Sequence, residues 1–302
     1  MSIVKSLSVG DGDMFYINHG SDNFTIIDCC MSEDDRTRIV KELKAQSKGK
    51  GIKRFISTHP DDDHILGLTC LHQEMNLLNF YCVKNEATKD DETDDFDQYC
   101  ELRDDSAKAF YLYRGCSRKW MNLDSDEQDT DERGNAGIHI LWPITSNEDY
   151  KEALTQARDG ESPNNISPIA KYSLNGGATI LWMGDLEADF MDKIKHEITM
   201  DAADILFAPH HGRDSGTVPT DWLDEMKPKV IIIGEAPSEH LNYYEGYDTI
   251  TQNSAGDITL ECLSGRTHIY VSNQDYSVDF LDFKDVDDNY GGYYIGTLKI
   301  GG

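Results

Sequence analysis

Four short apolar runs, each ending on a residue able to do chemistry, constrain this chain more than any other feature. Residues 52–58 run into His59, residues 178–183 pass through Gly184 into Asp185, residues 204–208 pass through Pro209 into His210 and His211, and residues 229–233 run into Gly234 and Glu235. Runs this short and this rich in Ile, Val and aromatics suit strands with both faces covered. Helix-like segments follow three of them, at 66–78, 186–198 and 220–226. Strand–helix alternation implies a layered α/β architecture whose C-terminal strand ends gather at one edge. A His, an Asp, a His pair and a Glu are therefore expected to meet there. The N-terminal part differs: runs at 3–9, 14–18 and 24–28 are broken by Gly-Asp-Gly-Asp and His-Gly-Ser-Asp-Asn, the turn chemistry of an antiparallel meander.

The segment Thr58-His59-Pro60-Asp61-Asp62-Asp63-His64 carries the most chemistry. Three consecutive carboxylates repel one another, at roughly a kcal/mol or more per adjacent pair at the effective dielectric of a protein surface. A divalent cation converts that cost into binding energy. Imidazole suits zinc and other transition ions, while carboxylate oxygen moves the preference toward harder ions such as Mn²⁺. An Asp-rich helix N-cap is the other reading, but a cap needs one Asp, not three with two His.

Residues 59–64 resemble the His-x-His-x-Asp-His signature of the metallo-β-lactamase fold hydrolases, with Asp61 in the second His slot. They are more similar still to the hydrolase domain of the competence DNA-uptake family ComEC, where Asp in that slot is familiar. Four further blocks match in order: Leu7-Ser-Val-Gly-Asp-Gly-Asp13, Asn164-Asn165-Ile166-Ser167, Met183-Gly184-Asp185 and Pro209-His210-His211-Gly212. The likeness, which spans roughly residues 2–269 apart from the acidic stretch, implies an α/β fold, a four-layer αββα metallo-β-lactamase-like sandwich, and residues 1–302 read as one hydrolase domain. It also implies two divalent ions, Zn²⁺ or Mn²⁺: His59 and Asp61 would hold the first, Asp63 and His64 the second, and Asp185 would bridge them. The His210–His211 pair would add a ligand or contact leaving-group oxygens, and the sequence leaves open which of the two points inward. His240 falls where many relatives carry their last metal-binding His, or is a surface-loop histidine. His72 and His139 read as core or edge histidines, with Asn165 or Ser167 approaching the site instead.

The activity implied is metal-dependent hydrolysis, foremost of phosphodiesters, hence a nuclease using a hydroxide activated between two ions. Asp63 or Asp185 would orient the hydroxide and His210 or His211 would assist the leaving oxygen. Arg213, Lys171 and Arg54 lie near the motifs and would either meet phosphate or serve as ordinary charges.

Net charge limits this reading. The chain carries 28 Lys plus Arg against 56 Asp plus Glu, a formal charge of −28. Broad adhesion to nucleic acid or to an anionic membrane relies on basic side chains displacing counterions, and the balance here excludes it. Within residues 86–132 there are 16 acidic and 6 basic residues, and 86–134 reads as an acidic, partly helical insertion with solvated, mobile ends. Two further functions accommodate the charge: hydrolysis of a small phosphodiester or other ester, and a partner-controlled effector in a bacterial defence-type complex, docked through the acidic insertion. Apolar runs far shorter than the ~20 residues of a membrane span, the lack of a signal-peptide core, and seven cysteines with no Cys-x-x-Cys predict a cytoplasmic location without disulfides or a membrane partner.

Overall fold

Phe15 and Ile17 turn to one face of the N-terminal strands while Tyr16 and Phe24 turn to the other, and the two faces feed different cores. The period of two makes one sheet serve two layers at once. In the computed structural model, which describes residues 1–123 and 133–301, the chain opens with an antiparallel meander of β1 (Ser2–Ser6), β2 (Phe15–Asn18) and β3 (Asn23–Ile27). After the two-residue β4 (Cys29–Cys30), helix α1 (Glu33–Gln46) crosses to β5 (Ile52–Ile56), parallel to β3. Helices α2 (Asp62–Ile65) and α3 (Leu68–Met75) lead to β6 (Phe80–Cys82), and α4 (Asp94–Asp104) leads to β7 (Ala109–Tyr111), both added in parallel.

The second sheet follows in sequence: β8 (Ile138–Trp142), β9 (Ile169–Ser173), β10 (Thr179–Trp182), β11 (Ile205–Phe207), β12 (Val230–Ile233) and β13 (Thr249–Thr251). Its helices are α5 (Glu148–Arg158), α6 (Ala188–Ile194) and α7 (Thr220–Met226). After α8 (Gln252–Ala255), β14 (Ile258–Leu263) returns to pair with β1, and β15 (Arg266–Val271) and β16 (Tyr293–Lys299) extend that edge. Among the described residues the sheets have nine and six strands.

Phe15 touches Trp182 and Phe207 across the gap between the sheets, at ring separations of 6.1 and 4.8 Å. On the outer face of the first sheet, Phe55 and Phe80 pack with Ile39 and Leu43 of α1, Leu71 of α3 and Tyr99 of α4. On the second sheet, α5, α6 and α7 contribute Tyr150, Phe190 and Trp222. The result is the expected four-layer αββα sandwich. Each fully buried side chain of this kind contributes about 1.5–3 kcal/mol relative to exposure.

Two local expectations change. The four chemistry-bearing strand ends do not share one sheet: β5 lies in the first, and β10, β11 and β12 lie in the second. The helix expected over 66–78 is shortened to Leu68–Met75: Gly67 (φ +84°) and Asn76 (φ +51°) bound it with left-handed backbones, and the Leu66 carbonyl is drawn off to accept from the Met31 amide at 2.9 Å.

The acidic stretch is built into the layers. Its helix α4 buries Phe96, Tyr99 and Leu102, and its strand β7 extends the first sheet. Asp95 accepts from the amides of Gly67 (2.7 Å) and Thr69 (2.8 Å), so an acidic residue of this stretch caps α3. The very acidic end at 124–132, read as a mobile loop, lies outside the described residues. No helix among the described residues is long and apolar enough to cross a membrane. Leu102→Ala is expected to destabilise the protein by about 2–5 kcal/mol in urea unfolding, the cost of a buried Leu truncation. A loss under about 0.5 kcal/mol, typical of an exposed site, would show that α4 is a loosely attached excursion.

Candidate metal centre

At the mouth of the gap between the sheets, β5 ends in Ser57-Thr58-His59 and α2 follows at once. Asp28, just past the end of β3, has a left-handed backbone (φ +56°), uncommon for a residue with a Cβ. Its carboxylate accepts from the Thr58 amide (2.8 Å), from Thr58 Oγ1 (2.7 Å) and from His64 Nδ1 (2.9 Å). Burial pushes the Asp28 carboxyl up, and the charge on His64 works against that. With Nδ1 engaged, His64 presents Nε2 to the cluster, the carboxylate–histidine arrangement that orients metal-binding imidazoles.

The tautomer of His59 follows from the same network. Thr58 Oγ1 spends its proton on Asp28, so toward His59 Nδ1, 3.1 Å away, it acts as acceptor. His59 therefore carries its proton on Nδ1, where Ser167 Oγ also lies within 3.2 Å. Its Nε2 keeps a lone pair and is buried without a hydrogen-bond partner among the described residues. Burial and the charge on His64 hold His59 down to about 3, so the ring is neutral, the state in which imidazole binds a metal.

Four buried side chains, Asp13, His64, Asp185 and His211, bring one potential ligand atom each to within 4.8 Å of the others. His64 Nε2 stands 3.1 Å from Asp185 Oδ1, and His211 Nδ1 stands 3.3 Å from Asp13 Oδ1. Yet His64 Nε2, Asp185 Oδ1 and His211 Nδ1 are poorly aligned with these neighbours and lack hydrogen-bond partners among the described residues. Orphaned buried polar atoms that converge while failing to satisfy one another are what a cation site looks like. The donor set of imidazole nitrogen and carboxylate oxygen fits a divalent metal ion.

Charge balance says the same. Burial alone would lower His64 and His211, but Asp185 and Asp28 hold the first well above its ordinary value, and Asp185 and Asp13 do so for the second. Burial alone would raise Asp185, but the charges on His64 and His211 keep it well below the usual carboxylate range. Asp63, whose Oδ2 accepts from His211 Nε2 at 3.2 Å, is held at about 2 because that bond and the His64 charge outweigh burial. Without metal, protons on two imidazoles neutralise the carboxylates. Metal uptake would displace them.

The structure thus draws together His59, His64, Asp63, Asp185 and His211 from the expected set. It separates the His210–His211 pair: His211 is buried in the cluster, while His210 stays at the rim with Nδ1 3.0 Å from Ser215 Oγ and Nε2 3.7 Å from Asp185 Oδ2. Both have left-handed backbones (φ +54° and +55°), and such strain concentrates at functional sites. Asp61 is not brought in. It caps α2 by accepting from the Asp62 amide (3.1 Å) and pairs with Lys89 (3.1 Å), its side chain 39% exposed. The capping role set aside in the sequence is the one it takes. His240 is also outside, 57% exposed and beside Glu239. Asp13 and Asp28 had no assigned role, although Asp13 closes a quoted motif and Asp28 ends an apolar run. The signal was present in both: Asp28 is a further strand end delivering a carboxylate, and Asp13 stands in the turn just before β2. Ser167 does approach, accepting from the Asp185 amide at 3.3 Å.

The fold and this centre together describe an αββα sandwich with a buried Asp/His cluster at its sheet edge. No protein-family model and no curated protein matches the chain. Among solved structures, the chain is similar to a diphosphatase of the PhnP family at 12% identity, over 87% of this chain and 99% of that one, with a TM-score of 0.39. A likeness that shallow leaves the chemistry to rest on this chain's own residues.

A Cβ at Gly184 would sit 2.6 Å from Ser167 Oγ and 2.8 Å from Thr58 Cβ, on a backbone with φ +52°. Gly184→Ala is therefore expected to cost about 2–4 kcal/mol through overpacking and left-handed strain, read by denaturant midpoint. An unchanged midpoint would mean that Asp185 is not seated this tightly.

Proposed function

We propose that the chain is a metal-dependent phosphodiesterase. The observation that carries this reading is the buried convergence of Asp13, His64, Asp185 and His211. These four would hold divalent metal, with Asp63 and the free Nε2 of His59 extending the set toward a second ion; Zn²⁺ or Mn²⁺ suits the mixed donors. When bound, such ions lower the pKa of a coordinated water and neutralise charge on the attacked and leaving oxygens. Asp63, partly exposed and tied to His211, orients the attacking water. Asp185, fixed through its own amide to Ser167, holds the geometry between the two imidazoles. His210 has Nδ1 engaged by Ser215, so its Nε2 is the atom that faces a leaving oxygen at the rim.

The motif likeness to the ComEC hydrolase domain supports a nucleic-acid substrate. One observation favours a small phosphodiester instead: the cations near the motifs already have carboxylate partners. Lys89 pairs with Asp61 and Asp62, Arg213 with Asp11, and Lys171 with Asp201. Arg54 is buried, donating to Asn23 Oδ1 (2.7 Å) and the Trp120 carbonyl (2.9 Å).

Purified protein with Mn²⁺ or Zn²⁺ is expected to turn over bis(4-nitrophenyl) phosphate, and Asp185→Asn should lower kcat/KM by roughly 10³-fold or more, the several kcal/mol that metal-ion charge stabilisation supplies. Labelled single- and double-stranded DNA in parallel separates the substrates: release of nucleotides supports the nuclease, intact DNA alongside model-ester turnover supports the small substrate. Full activity in Asp185→Asn would remove the proposal.

A further inference from the structure

We propose that Glu235 is a positioning residue for the metal centre, acting with Gly234 from the end of β12 on both Asp13 and His211. The inference rests on reading the cluster as a metal site. Glu235 closes the fourth chemistry-bearing run, yet it is not among the four convergent ligands. Its carboxylate instead reaches across to the first sheet. Glu235 Oε1 accepts from Ser8 Oγ at 2.8 Å and Oε2 accepts from the Gly10 amide at 2.8 Å. Both donors belong to the β1–β2 connection that carries Asp13.

Among the described residues, other hydrogen bonds and ion pairs hold the base, the tip and the Asp13 end of that connection. The Leu7 amide donates to the Met14 carbonyl (3.0 Å) and closes its base, and the Asp13 amide donates to the Asp63 carbonyl (3.2 Å). The Ser8 amide donates to Asp257 (2.8 Å), and Asp11 pairs with Arg213 at the exposed tip. Between the base and the tip, the Glu235 carboxylate is what spans the sheet–sheet gap to the middle of the turn. Gly10, with φ +85°, gives the turn backbone freedom that must be taken up by such a tie. A turn left free to move carries the Asp13 carboxylate away from His211 Nδ1, 3.3 Å off.

The neighbouring residue acts on the other partner. A Cβ at Gly234 would lie 3.0 Å from His211 Cα and 3.1 Å from its carbonyl oxygen. The missing side chain lets the strained His211 backbone rest against the end of β12. One dipeptide of the second sheet therefore sets the separation of two cluster members that come from different sheets. Groups behind metal ligands act this way, and their loss typically lowers metal affinity about 10–100-fold.

The test measures Zn²⁺ affinity of the chelator-stripped full chain by competition with a chromophoric chelator. Glu235→Ala should bind about 10–100-fold more weakly. Glu235→Gln should recover most of the loss, since its carbonyl accepts from the Gly10 amide and its NH₂ donates to Ser8 Oγ. That rescue isolates geometry from charge. Ser8→Ala, readable even if Glu235→Ala does not fold, should show a smaller loss in the same direction. Wild-type affinity in Glu235→Ala or in Ser8→Ala, or a Gln variant as weak as the Ala variant, overturns the positioning role and leaves the metal reading standing. A wild-type chain that takes up no Zn²⁺ removes both.

Discussion

The carboxylate of Asp28 is the contact on which the site is built. Buried and almost without water, it is tolerable only because three donors converge on it: the Thr58 amide, Thr58 Oγ1 and His64 Nδ1. Those bonds decide the rest in sequence. The Thr58 proton goes to Asp28, so His59 must protonate at Nδ1 and keep its Nε2 lone pair. His64 gives its Nδ1–H to Asp28, so its Nε2 faces Asp185. A single buried anion thereby fixes the orientation of both motif histidines and the tautomer of His59, at the edge where two sheets meet.

Opposite charges in a dry place explain why so many strained groups persist there. Asp28, His210 and His211 all have left-handed backbones, and Gly184 and Gly234 leave out Cβ atoms that would collide with the site. Each of the three left-handed backbones costs about 1–3 kcal/mol when it stands alone. They hold because the layers around them are rigid: Phe15, Trp182 and Phe207 lock one sheet on the other directly beneath the cluster. Packing on both outer faces fixes the strand ends, and the strand ends aim the side chains. The acidic stretch belongs to the same logic, since α4 caps and covers α3, whose approach sets the end of the metal-motif turn.

Much of the architecture was legible in the chain alone because it depends on local pattern. Buried β-branched runs announced β5, β10, β11 and β12, Gly-Asp turns announced the β1–β3 meander, and the crowding of Asp and His at 59–64 pointed to the place where the candidate metal cluster lies. Less legible were pairings through space. Asp61 sits in a ligand slot by spacing, yet its backbone makes it the cap of α2 and Lys89 claims its charge. His240 follows the right strand, yet its short helical turn leaves it in solvent. Lys89 lies 28 residues from Asp61, and no periodicity links them.

What the sequence determined by itself is the kind of chemistry: imidazoles and carboxylates at the ends of buried strands, in a chain too acidic to coat nucleic acid. What only the tertiary structure decided is membership. Asp13 entered the cluster, Asp28 became its anchor and Glu235 reached across to the turn that carries Asp13, while His211 rather than His210 went inside. The physical reason is that a ligand set is a matter of a few ångströms between atoms from two sheets, set by turn geometry and by which charges neutralise one another. Residue type and spacing along one strand carry no information about the other sheet.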